Sequence, residues 1–162
     1  MQALYIILGA LAVLIPGLFV ISLFLPATVK VVRARVVPAT VTAVFQQVNI
    51  LRNWEGWSPW HQLSCSASCL KWKNKRRKGQ VVITESRLHE YIGLDMLFMK
   101  GHFAKSYFRF EPAKTGTLVT WALRAELGQH PGRKLMGLMM DKWIGRDFER
   151  GLENLKKRCG DG

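Results

Sequence analysis

The pattern of apolar and polar positions changes period several times along the chain. From Ala3 to Leu25 no charged residue occurs. As a helix rising about 1.5 Å per residue, this run would cross a hydrocarbon layer of about 30 Å. Pro16 and Gly17 would kink it, which lipid tolerates where the freed carbonyls find local partners. "TVKVVRARVVP" then alternates, with Val32, Ala34 and Val36 on one face and Arg33 and Arg35 on the other. That predicts a half-buried strand ended by Pro38. Thr40 is placed to cap "VTAVFQQVNILRNW", in which Val41, Val44, Phe45, Val48 and Leu51 recur at helical spacing.

From Leu70 onward the period is two. "QVVITES" and "HEYIGLDMLF" read as strands, the glycine in the second marking a bulge. "FAKSYFRFEP" and "TLVTWALRAEL" form a hairpin around "AKTG", and Thr117, Val119, Trp121, Leu123 and Ala125 share one face of the last strand. Beyond Pro131 the helical period returns. Leu135, Leu138, Met139, Ile144, Phe148, Leu152 and Leu155 trace a long amphipathic helix with weak points at Gly145 and Gly151. The predicted fold is α+β: an apolar N-terminal helix, then a curved antiparallel sheet whose apolar face the C-terminal helix covers.

Between the first soluble helix and the sheet, "NWEGWSPWHQL" packs three tryptophans among turn residues. Gly56 and Pro59 predict a short broken helix, and the tryptophans are expected to pack against the sheet and the methionine-rich helix. Trp54 reads as structural, Trp57 and Trp60 as candidates for a cavity wall.

Charge adds a direction. The 162 residues carry a formal net charge of +13, which favours an anionic neighbour, nucleic acid or acidic lipid. No Lys or Arg precedes the apolar run, whereas Lys30, Arg33 and Arg35 follow it closely. The positive-inside tendency puts the following domain in the cytoplasm, beside an anionic inner leaflet. A cleaved signal peptide would want a basic leader and a shorter apolar core, so a retained anchor is expected. Three cysteines, Cys65, Cys69 and Cys159, make no disulfide framework and fit reduced thiols in a cytoplasmic domain.

Catalytic templates are missing from the sequence: no phosphate-binding glycine loop, no Gly-x-Ser-x-Gly elbow and no evident carboxylate pair. His61, Cys65 and Cys69 would share a face only on a helix, which "SCSASC" forms poorly, so no metal or other cofactor is expected. The basic run "KWKNKRRKG" reads as a solvated hairpin turn around Asn74, or as a phosphate or headgroup contact through Lys73, Lys75, Arg76 and Arg77. The apolar run tips that choice towards lipid. Met136, Met139 and Met140 form a soft patch that, with Tyr107 and Trp121, could bound an apolar cavity.

"FQQVNILRNWEGWSPW", "VVITES", "YFRFEP" with "GTLVTWAL", and "LMGLMMDKWIGRDFERGLENLKKRC" together resemble membrane-anchored bacterial proteins of the START-like (SRPBCC) superfamily, the polyketide cyclase/dehydrase type. The resemblance implies a helix-grip fold, in which a bent antiparallel sheet wraps a long C-terminal helix with an apolar cavity between them. It also implies binding of lipids, sterols, polyketides or similar molecules, with cyclisation or hydrolysis in some members. Here the stretch between Trp60 and Ile83 is shorter than in the family, so a missing strand is expected, leaving either a sheet edge open or the cavity mouth wider.

The expected organisation is an anchor over residues 1–27 in a bacterial inner membrane and a START-like domain over residues 28–160. The expected function is binding of a hydrophobic small molecule or lipid. The alternatives are a cyclase- or hydrolase-like enzyme using the same cavity and a regulatory, effector-binding module; nucleic acid is not the expected partner. Candidate ligand-binding residues are Trp57, Trp60, Trp72, Tyr107, Trp121, Met136, Met140 and Trp143, with Glu85 and Arg109 as polar groups.

Overall fold

The computed structural model describes residues 2–60, 64–66, 69–73, 78–98 and 102–160. In order they form α1 (Gln2–Phe24), β1 (Thr28–Val37), α2 (Val41–Asn49), a 3-10 turn (Leu51–Gly56), β2 (Ser64–Cys65), β3 (Cys69–Lys73), β4 (Lys78–Arg87), β5 (Tyr91–Phe98), β6 (His102–Ala113), β7 (Gly116–Glu126) and α3 (Pro131–Gly160). The strands make one antiparallel sheet in the order β1-β7-β6-β5-β4-β3-β2. The sheet curves around α3 in a helix-grip, the expected α+β arrangement. Two strands adjacent in the chain, β1 and β2, therefore lie at opposite edges, and α2 with the 3-10 turn spans the distance between them.

Alternation sets the inner face. On β7 it carries Thr117, Val119, Trp121, Leu123 and Ala125, on β6 Ala104, Ser106, Phe108 and Phe110, and on β5 Ile92, Leu94 and Met96, all buried. From α3 this face receives Ile144, Phe148, Leu152 and Leu155, also buried. The Trp121 and Phe148 rings stack with centroids 3.8 Å apart and planes 10° from parallel. Gly151 permits that closeness, because a Cβ there would sit 2.8 Å from the Trp121 ring. Thr40 caps α2, its hydroxyl accepting from the Ala43 N–H at 3.4 Å. The β6–β7 hairpin closes on Gly116, whose φ of 140° suits only glycine.

Between Trp60 and Ile83 the described residues form two short strands, β2 and β3, of two and five residues. Three expectations change. The bulge lies on β4 rather than in β5, since pairing shifts between Ile83 and Glu85, leaving Thr84 as the extra residue opposite Gly93.

The inward face of β1 is the one that carries the arginines. Arg33 pairs with Trp121 and Val37 with Thr117, whereas Val32 and Val36 are exposed on the outer face. At a sheet edge, long arginine stems can cover apolar surface while their heads reach past it. Arg33 Nε donates to Glu149 Oε1 at 2.7 Å and Nη1 to Asp141 Oδ1 at 3.3 Å; Arg35 pairs with Glu153. These contacts tie the edge strand to α3.

The first half of α3 is rotated relative to the expected stripe. Lys134 and Gly137 are buried there, while Leu138 and Met139 are exposed. Gly137 lets the helix approach Leu127 and Val29 so closely that a Cβ would lie 2.8 Å from Val29 Cγ2. The larger neighbours are turned outward as a result.

Phe148→Ala in the full chain in detergent micelles should cost about 3–5 kcal/mol of unfolding free energy, by loss of the stack and of its buried area. Denaturant unfolding followed by Trp fluorescence checks this, with Arg150→Ala on the exposed side of the same turn changing stability by less than about 0.5 kcal/mol.

Candidate functional site

The chemistry of the tryptophan segment begins at the C-terminal end of α2. A helix end leaves its last carbonyls without intrahelical partners. Trp54 Nε1 donates to Val48 O at 2.8 Å, Trp57 Nε1 to Gln47 O at 3.2 Å, and Asn53 Nδ2 to Gln46 O at 3.3 Å. The segment thus caps α2 with side chains while its rings turn into the core. Large apolar area and one N–H each is what that position requires.

Those rings join the sheet in one cluster. Trp54 lies 4.7 Å from Trp57 and 6.0 Å from Trp60, Trp60 stacks on Trp72 at 5.2 Å, and Trp60 meets Trp121 edge-on at 5.8 Å. Phe108 stacks on the other flank of Trp121 at 4.6 Å. Polar anchoring inside the cluster comes from Ser106. Its hydroxyl accepts from Trp121 Nε1 at 3.1 Å and donates to Ala122 O at 2.7 Å. Among the described residues no Asp, Glu or His is buried.

The structure brings together Trp57, Trp60, Trp72 and Trp121, all buried, with Met140 packed against the same cluster. It separates the others from them. Tyr107 and Arg109 alternate with Ser106 and Phe108 and so occupy the outer face of β6; Glu85, opposite Gly93, is on that face too. They stand on the face turned away from α3, contrary to expectation. Strand β6 carries aromatics on both faces, so alternation alone left its inward side open; Phe108 and Phe110 take it. Met136 and Trp143 project from α3 and are 45% and 44% exposed.

On the outer face Tyr91 and Tyr107 stack at 5.6 Å, and the Arg87 guanidinium lies 5.4 Å over the Tyr91 ring. Arg87 also pairs with Glu85 at 2.7 Å. Burial, and then the Glu85 charge, raise the Tyr91 phenol above its ordinary pKa. Burial likewise pushes the Cys159 thiol up.

Three residues of the inner cluster escaped the candidate set: Trp54, Phe108 and Phe148. For Phe148 the helical stripe carried the signal, whereas for Phe108 alternation left two equivalent faces and gave none. Cys65 and Cys69 stand on neighbouring short strands, not on one helix face. His61 and the basic residues Lys75, Arg76 and Arg77, with Asn74, lie outside the described residues. Among the described residues one helix, α1, is long and apolar enough to cross a membrane.

Residues 28–160 match the family model for polyketide cyclase / dehydrase and lipid transport proteins. No curated protein matches the sequence. Among solved structures, a START superfamily protein from Mycobacterium smegmatis superposes with a TM-score of 0.63 at 17% identity, over 82% of this chain and 97% of that one. A protein from Chromobacterium violaceum superposes at 0.63 and 11% identity, over 83% and 98%. The di-domain ARO/CYC StfQ from the steffimycin biosynthetic pathway gives 0.65 at 10% identity, over 83% of this chain and 51% of its own length. At these identities the shared property is the fold.

Trp54→Phe keeps an aromatic side chain but removes the indole N–H and part of the buried ring, leaving the Val48 carbonyl without its donor, which should cost at least about 1–3 kcal/mol in denaturant unfolding of the full chain. Tyr91 supplies a pH test. Its folded-state pKa is raised, so the folded chain holds the proton more tightly than the unfolded one. The associated stability is complete below about pH 10, the ordinary tyrosine value, and is lost as pH rises through the folded pKa. Unfolding measured across that alkaline window should fall less steeply for Tyr91→Phe than for the unchanged chain.

Proposed function

The chain belongs to the polyketide cyclase / dehydrase and lipid transport family over residues 28–160, and on that premise we propose that it binds a hydrophobic small molecule or lipid between the sheet and α3. The observation that carries this reading is the composition of the inner face. It presents Trp57, Trp60, Trp72, Trp121 and Met140 with Ser106 as its anchored polar group, and no buried acid or imidazole among the described residues. Such a surface recognises a ligand by burial, at about 25 cal/mol per Å² removed from water. Among the described residues that surface holds no carboxyl or imidazole group for acid–base chemistry, which favours binding over cyclisation or hydrolysis.

The ligand enters at the Trp60–Trp72 stack. Trp72 sits on the five-residue β3 and Trp60 just beyond the 3-10 turn. Short elements hold these rings through few backbone bonds, so this end of the grip opens at least cost. A flat apolar ligand slides between two rings that already lie 11° from parallel. Glu85, Tyr107 and Arg109 take no part in it. With α1 as a single-pass anchor and Lys30, Arg33 and Arg35 directly after it, the domain works on the cytoplasmic side, where a membrane lipid is within reach.

The test is native mass spectrometry of the full chain released from membranes, followed by titration with a fluorescent fatty acid. A co-purifying apolar mass and quenching of Trp emission are expected, with affinity lowered at least tenfold in Trp72→Ala. A chain that carries nothing, and whose emission is insensitive to the probe, refutes the pocket. Turnover of a polyketide substrate by the purified chain would replace binding with catalysis.

A further inference from the structure

Helix α3 changes character at Trp143. Its inward side is continuous, but its outward side is apolar in the first half and cationic in the second. Met136, Met139 and Trp143 follow one another at helical spacing, and they are 45%, 49% and 44% exposed. Farther along that side stand Arg146 and Arg150, both exposed. Three large apolar side chains in a row on the water side of a helix mark a surface with a partner.

The position of this surface identifies the partner. Only Leu25, Pro26 and Ala27 separate α1 from β1. The Leu127 N–H donates to Ala27 O at 2.7 Å, which ties the end of β7 to the end of α1, and α3 begins four residues later at Pro131. Helices α1 and α3 touch, and Ser22, near the end of α1, is buried. The apolar half of α3 therefore starts at the level where α1 would leave a bilayer.

Cations surround it: Arg133 before the apolar residues, Lys142 and Arg146 beside Trp143, all exposed. Their stems can lie along apolar surface with their heads among phosphates. Trp favours the same depth, where one edge is apolar and the other wet.

We propose that the first half of α3, Pro131–Trp143, docks on an anionic phospholipid surface next to α1, with Met136, Met139 and Trp143 in the headgroup–acyl boundary. The inference rests on α1 being a retained membrane span. It would hold the grip at a fixed height on the bilayer that also supplies its lipid. Interfacial helices bind by buried apolar area together with attraction to anionic headgroups.

Tryptophan fluorescence tests this cleanly, because α1 contains no Trp and the other described tryptophans are buried. The full chain is placed, one copy per nanodisc, in discs of phosphatidylcholine and phosphatidylglycerol at a ratio of about three to one, with and without brominated acyl chains. Trp143→Phe, at an exposed position, gives the Trp143 contribution by difference. That contribution should be quenched at least twofold by the brominated lipid, and quenching should fall in Met139→Glu and in discs without phosphatidylglycerol. If the chain is retained in discs but the Trp143 contribution is unquenched, docking is wrong while the anchor stands. Quenching that appears only with two copies per disc would assign the face to a second chain and overturn the proposal. A chain that does not stay with the discs removes the anchor and the docking together; the ligand-binding reading is judged separately by its own titration.

Discussion

The stack of Trp121 on Phe148 joins the centre of the sheet to the middle of α3, and much of the fold is arranged so that it can form. At a centroid distance of 3.8 Å, two aromatic rings exclude water completely and leave no space for a side chain beside them. Gly151 is therefore required on the next turn of the helix. Trp121 must also be held in one rotamer, which Ser106 does by accepting its indole N–H. Around this contact Phe108, Trp54 and Trp57 pack edge to face or stacked, arrangements that add to the area they bury.

One consequence is that the tryptophan-rich segment serves two ends at once. Its indole N–H groups satisfy carbonyls left over at the end of α2, and its rings complete the core beneath the sheet. Trp60 and Trp72 extend the cluster towards the edge where β2 and β3 are short. Charge is kept away from the inner cluster and placed where it fastens edges: Arg33 and Arg35 bridge β1 to acidic residues of α3, and Arg158 Nε donates to Gln47 on α2 at 3.1 Å.

Much of this was legible in the residues. The strand and helix order, the Thr40 cap, the hairpin around Lys114 and Thr115, and the inward set on β7 all follow from local periodicity and turn chemistry. The candidate site was legible only in part. Of the candidates, Trp57, Trp60, Trp72 and Trp121 are buried, whereas Trp143 is exposed and Tyr107, Arg109 and Glu85 stand on the opposite face of the sheet. Strand β6 alternates Phe103, Tyr107 and Arg109 with Ser106, Phe108 and Phe110, and both sets contain aromatics. Likewise Val32, Ala34 and Val36 look like a buried face, yet the arginine side of β1 is inward because α3 offers it Asp141, Glu149 and Glu153.

From its sequence alone this protein is an apolar N-terminal helix followed by an α+β domain with a basic surface, since periods of 2 and 3.6 record which residues share a face. Periodicity carries no sign, however. Which face turns inward depends on partners distant in the chain: a glycine that admits Trp121, a carboxylate that meets Arg33, a close approach at Gly137 that turns Met136 and Met139 to the outside. Only the tertiary structure brings those partners together, and so only it decides which aromatic residues wall the interior and which stand on the surface.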